Sequence, residues 1–471
     1  MKQSAVIGGG LAGSEAAWQM AEKGIAVTLY EMRPTRQTPA HKTSRLAELV
    51  CSNSLKSNAP GAASWLLKEE LRRCGSLLMR IADESAVPGG QALAVDRAKF
   101  SEGVTSAIER HPLITLRREE VTDIPADSLT LIASGPLTSD ALAAKLATLT
   151  GSDNLAFYDS ISPIVDAETL NFDRLFRASR YGKGGEDYWN CPLSEVEYRV
   201  FYEALMSAQS VQAHEFEDRN YFEACLPIEE LARRGVDTLR FGPMKPVGLV
   251  DPKTGKIPHA VVQLRAENLR HASFNLVGFQ NHLKFPEQKK ILRMIPGLEH
   301  AEFLRFGQIH RNTYINAPKV LEAVLSLRAA PDVFVAGQLS GVEGYVECIA
   351  TGLLAGLAMA HRAKTGTGEP RTETFATPPR TTALGSLVHY ITHADAAHYQ
   401  PANISFDLLA PMEALPRAIA RDRQARRRMQ CARALTDLEA WLKDYRDDPL
   451  AVTNASLKRE EGQPNADSRH G

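Results

Sequence analysis

Two kinds of residue in this chain can do chemistry that an ordinary globular domain does not need. One is a glycine run, Gly8-Gly9-Gly10-Leu11-Ala12-Gly13, and the other is a set of six cysteines at 51, 74, 191, 225, 348 and 431. Spaced as they are, the glycines make a phosphate cradle. Gly8 permits a tight turn, Gly10 lets the backbone approach a pyrophosphate, and Gly13 lets the following helix pack close to the preceding strand. The N-terminus of that helix then offers free N–H groups to the anion. Glu31, followed by Met32, lies where its carboxylate can accept hydrogen bonds from a ribose diol and repel a 2′-phosphate. Cysteine is suited to transient covalent catalysis because it is intrinsically nucleophilic and leaves again easily.

These residues need elements to hold them. Residues 4–7 are a short apolar strand, residues 14–23 read as a helix ended by Gly24, and residues 25–30 are a second strand. Strand, glycine turn, helix and strand together make one βαβ unit. Residues 129–133 form another buried-type strand before Ser134-Gly135-Pro136 and an alanine-rich helix. Residues 333–336 form a strand that meets Gly337-Gln338, then Gly341-Val342-Glu343-Gly344, then a helix of small apolar residues over 349–360. A C-terminal strand–glycine–helix of this kind closes over the flavin in two-dinucleotide flavoproteins, an analogy of fold that favours FAD over NAD at the first site. Residues 61–82 look helical. From 155 to 305 short strands alternate with polar loops, as in a second domain inserted into the first. Residues 412–446 are helical and arginine-rich, and the polar stretch after about 455 is expected to be a disordered tail. The fold class expected is α/β: a Rossmann-like FAD-binding domain of glutathione-reductase type carrying a smaller α+β insertion. The divisions are 1–165 and 305–445 for the FAD domain, 166–304 for the insertion and 446–471 for the tail.

Composition narrows the partners. Lys+Arg is 55 and Asp+Glu is 56, a net charge of −1, so nucleic-acid binding requires a local basic face. No cysteine pair has C-x-x-C spacing, and six thiols in 471 residues are too sparse for a disulfide scaffold. Reduced thiols, no metal and a cytoplasmic location are expected. No uncharged apolar run reaches the roughly 18 residues of a membrane span, and no obligate protein partner is evident.

Further segments fall into a recognisable order: Glu31-Met-Arg-Pro34, Leu49-Val-Cys51-Ser-Asn-Ser-Leu55, Ala94-Val-Asp-Arg97, Arg180-Tyr-Gly-Lys-Gly184, Phe222-Glu-Ala-Cys225, Arg240-Phe-Gly-Pro-Met-Lys-Pro-Val-Gly248, His310-Arg-Asn-Thr313 and Ala336-Gly-Gln-Leu-Ser-Gly-Val-Glu-Gly-Tyr345. With the glycine run they resemble the folate- and FAD-dependent tRNA (uracil-5-)-methyltransferases, the TrmFO (Gid) family, related to the MnmG/GidA flavoproteins. The resemblance implies that NADH or NADPH reduces bound FAD. The flavin then passes a one-carbon unit from 5,10-methylenetetrahydrofolate to C5 of the T-loop uridine at tRNA position 54, giving 5-methyluridine.

C5 of uracil is a poor nucleophile until a thiolate adds at C6, and a base must later remove the C5 proton. The resemblance puts functional cysteines at Cys51 and Cys225. Cys225 is assigned as the C6 nucleophile and Cys51 as the base or a thiol beside the flavin, with the roles exchangeable. Cys51 precedes the polar turn Ser52-Asn53-Ser54, read as leading into a helix whose N–H groups lower a thiol pKa. Cys225 has Glu223 nearby, which would raise a thiol pKa and calls for a counteracting cation. Ala224 and Leu226 flank it where the family pattern has Gly and Met. The other four cysteines are read as inert. Cofactor contacts are expected from Gly8 to Gly13, Glu31, Met32, Gly337, Gln338, Gly341, Val342 and Glu343. Asn281, His282, His310, Arg311 and Tyr345 are the pterin candidates. Arg180 and Lys183, with Arg177, Tyr181, Tyr188 and Trp189, are candidates for tRNA, as is the arginine run 417–428. The alternatives are the same chemistry on a ribosomal RNA uridine, a tRNA-binding flavoprotein acting as a chaperone, and a plain NAD(P)H oxidase.

Overall fold

The computed structural model describes residues 3–38, 40–125, 127–151, 155–160, 162–183, 185–210, 226–268, 270–307, 309–365, 375–412 and 422–447, and of residues 155–160, 309–313 and 446–447 the backbone alone. Strand β1 (Gln3–Ile7) runs parallel to β2 (Val27–Tyr30) on one side and to Ser128–Ile132 on the other. Ile114–Arg117 extends the sheet beyond β2, and Val333–Val335 extends it beyond Ser128–Ile132, giving five parallel strands. Val6, Leu29, Leu131 and Val335 are fully buried, as a parallel sheet covered on both faces requires. Helix α1 (Leu11–Glu22) follows the glycine run and lies against the long helix Tyr345–Thr365. A Cβ on Gly352 would stand 2.3 Å from the carbonyl oxygen of Ala12, and one on Gly356 would stand 2.7 Å from that of Ala16. The two backbones meet, so the C-terminal helix must be built from small residues.

The helical reading over 61–82 resolves into two helices, Ala63–Arg73 and Leu77–Glu84, broken at Gly75. The break is pinned from α1: buried Glu15 accepts hydrogen bonds from Ser76 Oγ (2.8 Å) and the Leu78 N–H (3.0 Å). A helix also covers Arg423–Asp447 within the arginine-rich C-terminal stretch.

A second sheet is built wholly from residues 164–305. Its six strands are antiparallel, in the order Phe176–Arg177, Tyr188–Leu193, Ala260–Ala266, Ser273–Leu276, Ile164–Asp166 and Phe303–Arg305. It has its own core, including Val165, Phe201, Phe274, Phe279 and Ile291, separate from the core of the parallel sheet. The chain passes into and out of this unit through Leu155–Ser160 and Ile309–Tyr314, which pair antiparallel from Leu155↔Tyr314 to Ser160↔Ile309. Among the described residues no helix is long and apolar enough to cross a membrane.

Candidate active site

The carboxyl ends of the parallel strands open onto a crevice lined by Gly8, Gly10, Leu11, Ala12, Glu31 and Met32 from the first βαβ unit and by Gly337, Gln338, Tyr345 and Cys348 from the C-terminal segment. The three glycines of the fingerprint differ in what surrounds them. A Cβ on Gly8 would lie 2.5 Å from the Ala133 carbonyl oxygen, and one on Gly13 would lie 1.8 Å from that of Gly8. Gly8 also has φ +108°, a left-handed backbone suited to glycine. A Cβ on Gly10 would meet nothing within 4 Å. The first and last glycines thus close the turn, and the middle one faces open space at the start of α1, which carries no side-chain cap. Uncapped N–H groups beside an open glycine form a pyrophosphate cradle, so the residues present fit a dinucleotide.

Glu31 is 6% exposed. One carboxylate oxygen accepts from the Gly9 N–H (3.1 Å), and the other accepts from the N–H (3.0 Å) and Nε (2.8 Å) of Arg33. Burial alone would raise its pKa, but the Arg33 contacts outweigh this and hold it below the usual carboxylate value. Arg33 continues to Glu48 (3.1 Å) and to the Thr43 carbonyl (3.0 Å). His41, close by, has its pKa pushed down to about 4 by burial and by Arg33, so its ring is neutral at pH 7. The crevice end at β2 therefore combines an ionised carboxylate with a neutral imidazole.

Cys51 follows Val50, which lines the crevice together with Tyr345. The turn after it leads into a strand, Ser54–Ser57, paired with Ala92–Val95, and the next helix begins only at Ala63. This corrects the expected helix N-terminus. The N–H groups of Cys51 (2.7 Å) and Ser52 (3.0 Å) both donate to the Tyr345 hydroxyl oxygen. Burial raises the pKa of that hydroxyl, so it stays protonated. Arg97 donates to the carbonyl oxygens of Leu49 (2.7 Å) and Cys51 (3.5 Å). From the antiparallel unit, Arg265 donates to Asn53 Oδ1 (2.8 Å) and Ser52 Oγ (2.7 Å). The pKa of Arg305 is lowered by burial, with the charge of Arg97 acting in the same direction. Its Nε is buried with no hydrogen-bond partner among the described residues, and its Nη2 donates to the Ala40 carbonyl (3.2 Å). The Tyr345 phenol and the guanidinium groups of Arg97 and Arg265 thus hold the loop that carries Cys51 beside the glycine-lined crevice, an arrangement able to present a nucleophile or base to an anionic ligand.

The family model for glucose inhibited division protein A matches residues 3–367. A TrmFO methylenetetrahydrofolate–tRNA-(uracil-5-)-methyltransferase of Solibacter usitatus is 62% identical over 441 residues, covering 93% of this chain and 98% of the relative. The TrmFO protein of Koribacter versatilis is 59% identical over 443 residues, covering 93% and 97%. The chain belongs to the TrmFO family. Among solved structures, GidA of Aquifex aeolicus superposes with a TM-score of 0.66 at 16% identity, covering 94% of this chain and 76% of that one. That likeness shows a GidA-type, Rossmann-like α/β fold.

In this TrmFO chain the other expected site residues are distributed unevenly. Gly9 packs against Glu31 and Leu46. Gly341, Val342 and Glu343 are not among the residues lining the crevice: a Cβ on Gly341 would strike Tyr399, Val342 is fully buried, and Glu343 Oε2 accepts from Gln338 Nε2 (2.9 Å). Asn281 is fully buried and serves its own loop, donating to the Phe279 carbonyl and accepting from the Leu283 N–H. The His282 N–H donates to Glu229 Oε1 (2.6 Å). Arg180 is committed within the antiparallel unit, to Gln263 Oε1 (3.1 Å) and the carbonyls of Lys245 and Val247, whereas Lys183 is exposed. Arg177 lies over the Trp189 ring. Cys225 and Glu223 lie outside the described residues, as do Arg417, Arg421 and the tail after 447. For His310 and Arg311 the backbone alone is described, opposite Asp159 and Tyr158. Burial raises the thiol pKa at Cys191 and Cys348 and pushes that of Cys431 up to about 11, which keeps them protonated. Sequence reasoning gave no role to Arg97, Arg265, Glu267 or Arg305. Of these, Arg97 alone carries a visible signal, as the last residue of Ala94-Val-Asp-Arg97.

Proposed function

We propose that this chain transfers a one-carbon unit from 5,10-methylenetetrahydrofolate to C5 of a tRNA uridine, at T-loop position 54, using FAD and with NADH or NADPH as reductant. It is a folate-dependent tRNA (uracil-5-)-methyltransferase. Relatives of that name match at 51–62% identity over at least 93% of the chain, and the observation that carries the reading is the cysteine loop, which contributes Glu48 and Val50 to the lining of the glycine-bearing crevice. FAD, when bound, supplies the redox chemistry that turns the transferred carbon into a methyl group.

The chain's own part is to hold and orient. The open face at Gly10 and the uncapped start of α1 receive a pyrophosphate, while Glu31 takes a ribose. Gln338 and the first turn of Tyr345–Thr365 bound the opposite wall. Cys225 adds to C6 of the pyrimidine and Cys51 removes the C5 proton, or the two exchange roles. Adding a thiolate at C6 puts negative charge on the ring, and a guanidinium such as that of Arg305, whose Nε has no hydrogen-bond partner among the described residues, would stabilise it. We take residues 166–304 as the inserted unit that presents RNA, with Lys183 and Arg177 exposed and Trp189 half-buried beneath Arg177 for backbone and loop contacts, and the cytoplasm as the compartment. Expression in a host whose tRNA lacks 5-methyluridine tests the target. The wild-type chain is expected to restore the nucleoside in the T-loop, and Cys51→Ala or Cys225→Ala is expected not to. Restoration confined to ribosomal RNA would move the activity to that substrate, and restoration by both cysteine variants would remove the proposed chemistry.

A further inference from the structure

The loop that carries Cys51 is gripped from both folding units at once. Arg97, at the start of the helix Arg97–Arg110, holds the loop carbonyls of Leu49 and Cys51 and also reaches Glu267, with Nη2 3.2 Å from Oε1 and Nε on Oε2. Glu267 directly follows the strand Ala260–Ala266 of the antiparallel unit. From that strand Arg265 reaches back to Ser52 Oγ and Asn53 Oδ1. Asn53 completes the crossing by donating to the carbonyls of Val95 (3.1 Å), in the parallel unit, and Ala266 (2.9 Å), in the antiparallel one. Asn53, Arg265 and Glu267 are all at most 6% exposed. Two guanidinium groups crossing in opposite directions, onto partners that include the buried Asn53 and Glu267, are an expensive arrangement to keep unless the geometry matters. Covalently the antiparallel unit is joined to the rest only through the ribbon 155–160/309–314. Its seating is therefore decided largely by contacts of this kind.

We infer that Arg97, Arg265 and Glu267 are positioning residues for the Cys51 thiol, a crossed clamp that makes the placement of the inserted unit and the presentation of the thiol a single coupled setting. The inference rests on the functional reading above for its purpose, but the clamp is testable without it. A ligand that draws the inserted unit against the crevice must carry residues 265–267 with it, and through Ser52, Asn53 and Arg97 it must carry the thiol. The clamp thereby links occupancy of the RNA side to reactivity on the cofactor side.

The test uses the full-length, FAD-loaded protein and compares wild type with Arg265→Lys, Glu267→Gln, Arg97→Ala and Arg97→Lys. Lysine keeps the charge at 265 but offers no planar fork to span Ser52 and Asn53. Iodoacetamide alkylation of Cys51 is followed by peptide mass mapping across a range of pH, with Cys74 as an internal reference. The expected result is at least a fivefold change in the Cys51 alkylation rate or a displaced pH profile, with Cys74 unaltered. In steady-state methylation kcat is expected to fall at least fivefold while KM for tRNA stays within twofold, and Arg97→Lys is expected to recover part of what Arg97→Ala loses. Unaltered Cys51 alkylation and kcat in both Arg265→Lys and Glu267→Gln would overturn the inference. If those buried changes prevent folding, Ser52→Ala removes a single hydroxyl of the clamp and decides in the same assay, with at least a twofold change in Cys51 alkylation expected and none overturning it. A wild-type protein that alkylates as described but methylates no RNA would sink the functional reading and leave the clamp standing.

Discussion

Replacing Gly10 and Gly13 separately by alanine should split cofactor binding from folding, because the two glycines face opposite environments. At Gly13 the added Cβ would stand 1.8 Å from the Gly8 carbonyl oxygen, where ordinary contact is 3.4–4 Å, and both partners are backbone. No side chain can rotate away, so α1 must lift from the turn at a cost of about 1–3 kcal/mol or more. At about 2–4 °C per kcal/mol for a domain of this size, Gly13→Ala is expected to lose several degrees of Tm even without FAD. At Gly10 the backbone has φ −75° and ψ −165°, which alanine adopts freely, and the Cβ meets no protein atom within 4 Å. The apo-protein should therefore keep its stability to within about 1 kcal/mol, the N-cap preference for glycine over alanine being offset by the freedom that alanine removes from the unfolded chain. The methyl instead occupies the approach to the pyrophosphate, and FAD affinity should fall at least tenfold, about 1.4 kcal/mol. Thermal melts of the apo-proteins, together with flavin titration followed by fluorescence, give both numbers. Wild-type FAD affinity in Gly10→Ala would refute the placement of the dinucleotide, and an unchanged melt in Gly13→Ala would refute the packing argument.

Tyr345→Phe keeps the ring but leaves the N–H groups of Cys51 and Ser52 without their acceptor. A loss of about 1–3 kcal/mol per unsatisfied buried group is expected in denaturant melts. Burial pushes the Glu229 carboxyl up to about 7, with Glu230 raising it further and Arg233 opposing. The folded state thus holds a proton that the unfolded state has released between pH 4.5 and 7, and stability falls across that window by up to about 1.4 kcal/mol per pH unit. Glu229→Gln is expected to remove this slope, and parallel pH–Tm curves for the two proteins would contradict it. Arg423, Arg426 and Arg427 line one groove with Lys56. If tRNA phosphates lie there, Arg426→Glu is expected to weaken tRNA binding and to reduce the salt slope of log K by at least about one, while FAD affinity stays unchanged.

What could be read in the sequence was local. The βαβ unit over 4–30 was legible because glycine spacing and apolar runs act within a few residues, and the C-terminal strand with its small-residue helix was legible for the same reason. The helix over 61–82 was read as continuous because its apolar periodicity runs past Gly75. The break is held by Glu15 from α1, a contact that no local pattern announces. The polar turn after Cys51 reads as lying just before a helix. It enters a strand instead, because Ser54–Ser57 pairs with residues some forty positions away. Arg180 looked like an RNA contact among glycines and aromatics, yet its guanidinium is held by Gln263 and two carbonyls. The clamp of Arg97, Arg265 and Glu267 joins segments far apart in the chain and exists only once both units have folded, so spacing could not reveal it.

The most direct test of the central claim is to incubate the purified yellow protein with an unmodified tRNA transcript, NADPH and methylenetetrahydrofolate labelled in the transferred carbon. Label is expected at C5 of a single T-loop uridine, dependent on folate and independent of S-adenosylmethionine. RNA that stays unlabelled while the flavin is reduced and reoxidised normally, with a positive control running alongside, would contradict the function proposed.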